Sequence, residues 1–147
     1  MFRRVPLVIL LTATAMVGCG PGVEDSAEEF SGPAREVVAA VEALQEAAGA
    51  RDAQTVCSNL LASSVQDALS ARGTSCAEAV EDALVAADVV ELTVPRGGVQ
   101  IEGDQARVRV EVGDREGATD TVTFAMVRQG RDWKLAGIQG AQPPGGG

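Results

Sequence analysis

The chain has 147 residues, 46% of them hydrophobic, and its 12 basic and 21 acidic side chains give a formal charge of −9. A chain this acidic repels phosphate backbones and has no basic patch, so nucleic-acid binding is disfavoured. The sequence has no histidine and no tyrosine, which excludes a histidine-ligated metal site and removes the usual acid–base residue of neutral pH.

Residues 1–18 have the organisation of a signal peptide. Arg3 and Arg4 form a charged start, and residues 5–17 are free of charge and mostly apolar. This apolar run of 13 residues is shorter than the roughly 20 that a spanning helix needs. We therefore predict a leader that directs export, not a permanent membrane anchor.

Residues 16–19 close this segment with a recognisable pattern. Met16-Val17-Gly18-Cys19 resembles the lipobox of bacterial lipoproteins, whose pattern is leucine, alanine or serine, glycine or alanine, and then cysteine. The resemblance implies diacylglyceryl transfer to the Cys19 thiol, cleavage after Gly18, and attachment to the extracytoplasmic face of the cell membrane. Each lipid methylene buried in the bilayer contributes about 0.8 kcal/mol to that attachment. The alternative is an ordinary secretory signal followed by a chance cysteine.

Cleavage would leave 10 basic and 21 acidic residues, a formal charge of 10 − 21 = −11. Such a charge opposes binding to anionic headgroups, so the lipid has to supply the attachment. We predict a lipidated cysteine and flexible acidic tether over residues 19–32, a single α+β domain over 33–139 and a disordered tail over 140–147. No second long apolar run is present, so no spanning segment is predicted.

The two remaining cysteines, Cys57 and Cys76, are an even pair in a chain predicted to be exported. Such a pair indicates a disulfide, which would stabilise the fold by roughly 3 kcal/mol in the chain-entropy model. Two buried free thiols are the alternative. A redox-active pair is disfavoured because the sequence has no Cys-x-x-Cys motif.

A first helix is predicted from Pro33, which suits the first helical position, to Gly49. Apolar residues recur along one face of this segment at helical spacing. They are Val37, Val41, Leu44 and Ala48.

Further helical segments follow up to residue 88. Asp52 is predicted to cap a second helix, and a short helical segment is predicted to begin at Ser63 or Ser64 and to end near Gly73. Ser75-Cys76-Ala77-Glu78 has the spacing of a capping box and predicts the start of a third helix. The predicted disulfide would tie the middle of helix two to the first turn of helix three.

Residues 89–139 are rich in valine that alternates with polar residues, which predicts antiparallel strands joined by short turns. The predicted strands lie within residues 90–94, 99–101, 106–112, 122–126 and 133–138. Helices followed by a curved antiparallel sheet of four to five strands place the chain in the α+β class.

The last predicted hairpin reads Gly130-Arg131-Asp132-Trp133-Lys134-Leu135. It resembles the Gly-x-Trp-(Lys/Arg)-(Ile/Leu) ending of nuclear transport factor 2-like domains, and the element order over residues 33–139 is similar to theirs. The resemblance implies a cone-shaped domain with a pocket at its open end. Small lipoproteins of high-GC Gram-positive bacteria often combine such a domain with a cysteine pair placed much as Cys57 and Cys76 are here. A two-layer α+β domain without a pocket is the alternative.

The resemblance suggests a set of side chains that would line the cone. They are Val108, Val110, Val122, Phe124 and Trp133. For Trp133 and Phe124 the alternative is a packed core. Arg107 and Arg109 share one side of a strand and are candidates for an anionic ligand or, alternatively, for a solvated sheet face.

Asp120 is the remaining acid–base candidate, since a carboxylate beside an apolar cavity can act as a base; an exposed aspartate next to a turn is the alternative. We predict no catalytic constellation, no cofactor and no metal. The expected function is a non-enzymatic ligand-binding or protein-interaction domain, anchored at the extracytoplasmic face of the cell envelope. Its partner would be a small apolar ligand, an envelope protein or a second copy of the chain. The alternatives are a small lyase or isomerase that uses Asp120, and an accessory subunit of an envelope transporter or synthase.

Overall fold

The computed structural model describes residues 26–87 and 89–140, which form a helical layer packed on an open, five-stranded antiparallel sheet. This arrangement confirms the predicted α+β class, with the helices preceding the sheet, and it is compatible with a cone-like domain. The predicted leader, Cys19 and residues 141–147 lie outside the described residues. Within the described ranges, no helix has the length and apolar character needed to cross a membrane.

Helical segments occupy the first half of the described chain. They are a 3-10 turn (Ser26–Glu29), α1 (Gly32–Gly49), α2 (Ala53–Thr55), a π-helical turn (Val56–Leu60), α3 (Ser63–Ala71) and α4 (Cys76–Ala86). Pro33 stands in the first turn of α1, where its missing N–H needs no partner. The Asp52 carboxylate caps α2 by accepting a hydrogen bond from the Thr55 N–H at 3.0 Å. The predicted capping box is present at α4, where the Glu78 N–H donates to Ser75 Oγ at 3.2 Å and the Ser75 N–H donates to Glu78 Oε2 at 3.3 Å.

The 3-10 turn attaches part of the predicted tether to the fold. Ala27 is buried in the core, and its N–H donates to Glu42 Oε1 in α1 at 2.7 Å. The Glu29 carboxylate lies 3.6 Å from the guanidinium of Arg96. Composition alone suggested a solvated segment up to residue 32, but residues 26–29 pack on the domain because Ala27 finds an apolar site there.

The five strands are β1 (Val89–Thr93), β2 (Val99–Glu102), β3 (Gln105–Asp114), β4 (Thr119–Gln129) and β5 (Asp132–Gln139). Their order is β1-β3-β4-β5, and β2 pairs with β3 on the same edge as β1. A turn separates β1 from β2, and in it the Gly98 N–H donates to the Pro95 carbonyl at 2.8 Å. A side chain cannot replace the hydrogen of Gly98, because a Cβ atom there would lie 2.8 Å from the same oxygen.

Alternate residues of the central strands and one face of α1 make the core. Val108 and Val110 of β3 and Val37, Val38 and Val41 of α1 are the most deeply buried large side chains. The period of two in a strand and of 3.6 in a helix brings these residues to one side of each element. Burial of a valine side chain contributes about 1.5–3 kcal/mol to stability, so this contact holds the helical layer on the sheet.

Residues 59–63 connect the helical layer to the edge strand β5. The Ala62 N–H donates to the Leu135 carbonyl at 2.9 Å, and Leu61 forms an isolated parallel bridge with Leu135. The Lys134 ammonium donates to the Asn59 carbonyl at 2.9 Å. Part of the edge of β5 is therefore covered, which satisfies backbone groups that an exposed edge leaves open.

Candidate functional site

The disulfide links the π-helical turn to α4. Cys57 and Cys76 are bonded, with their Cα atoms 6.0 Å apart and a sequence separation of 19. This confirms the predicted pairing and its position between helix two and the first turn of helix three. A crosslink that closes a loop of this size restricts the unfolded chain and stabilises the fold by about 3 kcal/mol.

The π-helical turn is the least regular part of the helical layer. The Leu61 N–H reaches back five residues to the Val56 carbonyl at 2.9 Å, and the Gln66 amide donates to the Cys57 carbonyl at 2.8 Å. Single π-helical turns of this kind occur frequently at functional sites, because they widen the helix and free backbone groups. One of those groups is the Asn59 carbonyl, which accepts the hydrogen bond from Lys134.

A surface depression of about 510 Å³ lies between α1, the π-helical turn and the start of β5. We call it the Trp133 depression. Its lining comprises Glu36, Ala39, Ala40, Ala43, Asn59, Leu60, Arg131, Asp132, Trp133 and Lys134. Three alanines and Glu36 form the α1 side, and Arg131, Asp132 and Lys134 lie on the opposite side. Its volume lies in the range of small-molecule sites, roughly 300–1,000 Å³.

Trp133 is the one buried side chain of the described residues whose polar atom lacks a hydrogen-bond partner. The residue is only 4% exposed, yet its indole N–H reaches no acceptor in the described part of the chain. An indole nitrogen can only donate, and a buried donor without an acceptor costs about 1–3 kcal/mol. The nitrogen atom is itself buried, so this unsatisfied donor belongs to the core.

Charged side chains of both signs lie around this tryptophan. The Arg128 guanidinium lies 5.9 Å from the centre of the indole ring, within the range of a cation–π contact, and 3.7 Å from the Glu36 carboxylate. Arg131 is exposed and takes part in no described side-chain hydrogen bond or ion pair. Among the residues that line the depression, Arg131 and Lys134 contribute +2 and Glu36 and Asp132 contribute −2, so the lining is formally neutral in a chain of charge −9.

A second depression, of about 410 Å³, lies on the outer face of the sheet. Arg107 lines it and sits opposite Gln100 in β2 and Ala125 in β4. Arg109, two residues along the same strand, is also exposed and lies opposite Thr123. The two arginines thus share the solvent-facing side of β3, as their spacing predicts.

Four of the five residues predicted to line the cone are packed in the hydrophobic core. Val108, Val110, Val122 and Phe124 are buried in the core cluster and line neither depression. Their role in the structure is packing between the sheet and α1, which also includes most of Trp133. Of the predicted set, only Trp133 borders a depression, and that depression lies between α1 and β5.

Asp120 is exposed near the start of β4, opposite Val112, and belongs to the lining of neither depression. Among residues 26–87 and 89–140, no group of three or more cysteine, aspartate and glutamate side chains is placed to hold a metal ion. Two carboxyl groups have lowered pKa values, and both are helix caps. Hydrogen bonds from Thr55 lower the pKa of Asp52, and hydrogen bonds from Ser75 lower that of Glu78.

No protein-family model, curated protein or solved structure matches this chain.

The sequence did not predict most of the residues that line the Trp133 depression. Ala39, Ala40 and Ala43 read only as helix-forming residues, and nothing in the sequence places them beside β5. One signal was available, because Arg128, Arg131 and Lys134 cluster in sequence around the one tryptophan of the chain. Such clustering of cations in an acidic protein indicates a local site.

Proposed function

We propose that this chain is a lipid-anchored, extracytoplasmic lipoprotein whose folded domain acts as a non-enzymatic binding domain in the cell envelope. Residues 1–18 would direct export, Cys19 would carry the lipid, and residues 20–25 would connect the membrane to the domain. The Cys57–Cys76 disulfide supports this location, because disulfides persist in oxidising compartments outside the cytoplasm.

The Trp133 depression, whose volume of about 510 Å³ lies in the range of small-molecule sites, carries the proposal of binding. A ligand in it would contact the small alanine side chains of α1. The proposed site differs from the cone pocket that the resemblance implied, because the residues expected to line that pocket are buried in the core cluster with valines of α1.

A binding role is favoured over catalysis by the chemistry of the available side chains. The sequence lacks histidine and tyrosine, and Asp120, the candidate base of the alternative lyase or isomerase, lies outside both depressions. General acid–base catalysis needs such a group within hydrogen-bond reach of a bound substrate.

A protein partner, including a second copy of the chain or an envelope transporter or synthase, is the second candidate. Arg107 and Arg109 on the exposed face of the sheet favour it, because a patterned charged face gives specificity in protein association. A partner bound there would leave the Trp133 depression unaffected.

Two experiments test the two halves of the proposal. Radiolabelled palmitate should label the wild-type chain in a lipoprotein-processing host and should not label Cys19→Ala; labelling of the variant would refute the anchor. Native mass spectrometry of residues 20–147, purified from an exporting host, should show a retained small-molecule adduct. A clean monomer mass would refute a tightly held ligand, and a mass twice that of the monomer would favour the dimer.

A further inference from the structure

A β-bulge lies at the floor of the depression of about 410 Å³ on the outer face of the sheet. We call this site the outer depression. The pairing of β4 with β5 shifts by one residue between Ala125 and Met126, which leaves Ala136 of β5 without an opposite residue. A bulge bends its strand, and the residues beside this one are small. Ala125 and Ala136 are half-buried in the lining, and a Cβ atom on Gly137 would meet nothing within 4 Å.

Uncharged hydrogen-bonding side chains from three strands and one helix border this floor. They are Gln100 of β2, Gln105 of β3, Gln139 of β5 and Ser64 of α3. All four residues are exposed, and their side chains form no hydrogen bond with the described part of the chain. An amide or a hydroxyl group can both donate and accept. The lining therefore offers a ligand several donors and acceptors at once.

The charge of the outer depression is balanced. Glu102 and Arg107 are the charged residues of its lining, and their formal charges sum to zero. Arg107 lies opposite Gln100, and Glu102 lies opposite Gln105, so the two charges are diagonal neighbours on adjacent strands. Neither forms an ion pair with another described residue. An anion or a cation would be attracted by one of them and repelled by the other, so the lining does not select a charged ligand.

Three further ligand classes fit this lining poorly. A wholly apolar ligand would remove water from the amides and charges without replacing their hydrogen bonds. An extended peptide binds a sheet by pairing with an edge strand, but β3 and β4 are already paired on both sides. A nucleobase would need an aromatic side chain to stack on, and the lining contains none. A neutral ligand with many hydroxyl groups fits these restrictions.

We infer that the outer depression binds a small neutral carbohydrate. The hydroxyl groups of the sugar exchange hydrogen bonds with the glutamine amides, accept from Arg107 and donate to Glu102, and its ring lies over Ala125 and Ala136. The volume of about 410 Å³ falls in the range of small-molecule sites. This site is separate from the Trp133 depression, with which it shares no lining residue.

The glutamines make the test direct, because their side-chain amides give resonances of their own in an amide NMR spectrum of 15N-labelled residues 20–147. The neutral probes are glucose and the disaccharides maltose, lactose, trehalose and N,N′-diacetylchitobiose. Glucuronate and glucosamine keep the glucose ring but add one negative or one positive charge, and acetyl-dialanine amide is a neutral peptide. Each is titrated at constant pH and ionic strength.

At least one neutral disaccharide is expected to shift the side-chain amides of Gln100, Gln105 and Gln139 in a saturable manner. Glucuronate and glucosamine should bind no more tightly than glucose, and the peptide should cause no shift. Arg107→Gln should weaken disaccharide binding at least about tenfold, because it removes a charged hydrogen-bond donor. Arg72→Gln, an equal charge change at the exposed C-terminal end of α3, should leave the dissociation constant unchanged.

A second pair of variants tests whether the ligand occupies the depression itself. Ala136→Leu extends a side chain from the lining and should abolish the response to the disaccharide. Ala118→Leu, in the exposed turn between β3 and β4 and outside the lining, should preserve it. Backbone amides distant from each substitution should match the wild type, which establishes that the variants are folded.

Four results would overturn the inference. They are glutamine amides that ignore every disaccharide, tighter binding of glucuronate or glucosamine than of glucose, a saturable response to the peptide, and equal weakening by Arg72→Gln. Dimerisation that shifts the glutamine amides without any sugar would also overturn it, since a second copy would then occupy this face. Sugar-induced shifts confined to Ala39 and Arg131 would place the sugar in the Trp133 depression, which overturns this inference and supports the proposed function.

Discussion

Gln129 and Ser63 bind each other through two hydrogen bonds, although they are 66 positions apart in sequence. The Gln129 amide donates to Ser63 Oγ at 2.7 Å, and its carbonyl oxygen accepts from the Ser63 N–H at 3.2 Å. This pair joins the end of β4 to the start of α3. It lies next to the contact of Ala62 with Leu135, so together these bonds fix the segment that follows the π-helical turn against β5.

Replacing Gln129 with alanine removes both bonds and should lower the free energy of unfolding by about 1–2 kcal/mol, because each exposed bond contributes roughly 0.5–1.5 kcal/mol. Urea denaturation measures the change. Gln105→Ala, an exposed glutamine of β3, is the matched control and should change stability by less than about 0.5 kcal/mol. In a double-mutant cycle with Ser63→Ala, absence of any coupling energy would contradict the side-chain bond.

The disulfide should be a large single contribution to stability. Cys57→Ala combined with Cys76→Ala should lower the free energy of unfolding by about 3 kcal/mol, because the unfolded chain gains the freedom that the crosslink removes. Counting free thiols in the unfolded, unreduced domain provides the chemical control and should find none. Reaction of both Cys57 and Cys76 with a thiol reagent under those conditions would contradict the crosslink.

Two valines of the domain test the packing role of the predicted pocket residues. Val110 is fully buried, whereas Val85 on α4 is 72% exposed. Val110→Ala should lower the free energy of unfolding by about 2 kcal/mol, since it removes two buried methyl groups and leaves a cavity. Val85→Ala should change it by less than about 0.5 kcal/mol. Equal effects of the two substitutions would contradict the assignment of Val110 to the core.

The α4 capping box should make stability depend on pH. Hydrogen bonds from Ser75 hold the pKa of Glu78 below its ordinary value of 4.5. Because the folded value is the lower one, the stabilisation is complete above the ordinary value and is lost as pH falls through the folded value. Glu78→Gln keeps the capping geometry without the charge, so its deficit relative to wild type should shrink as the pH falls from about 7 to about 3.

Glu81→Gln is the matched control for this experiment, because Glu81 is exposed on the same helix outside the capping box. Thermal unfolding at a series of pH values gives the comparison. A deficit of Glu78→Gln that grows on acidification would have the wrong sign and would contradict the assigned hydrogen bonds.

The local patterns in the sequence were sufficient to predict most elements of the fold. Pro33 and Gly49 delimit α1 to within one residue, and the capping box at Ser75 gives the start of α4. Alternation along β3 correctly separates buried Val108 from exposed Arg107. Each of these signals acts within a few residues, so one strand or helix contains all the information needed.

The other features of the fold and the candidate site depend on contacts between residues far apart in sequence. The hydrogen bond from Lys134 to Asn59 joins residues 75 positions apart, and a periodic pattern in the sequence cannot predict such a bond. The valines predicted to line the cone belong to one core cluster with the valines of α1, and the sequence does not determine how closely α1 approaches the sheet. The Trp133 depression likewise arises only when the alanines of α1 meet the hairpin of β4 and β5.

The central claim is that the Trp133 depression holds a small molecule. The most direct measurement is the backbone amide NMR spectrum of residues 20–147 as purified from an exporting host, and again after unreduced denaturation, dialysis and refolding. The account predicts that the amide resonances of lining residues such as Ala39 and Arg131 shift after this treatment and return when the dialysed small molecules are added back. Resonances at the same positions throughout would contradict it.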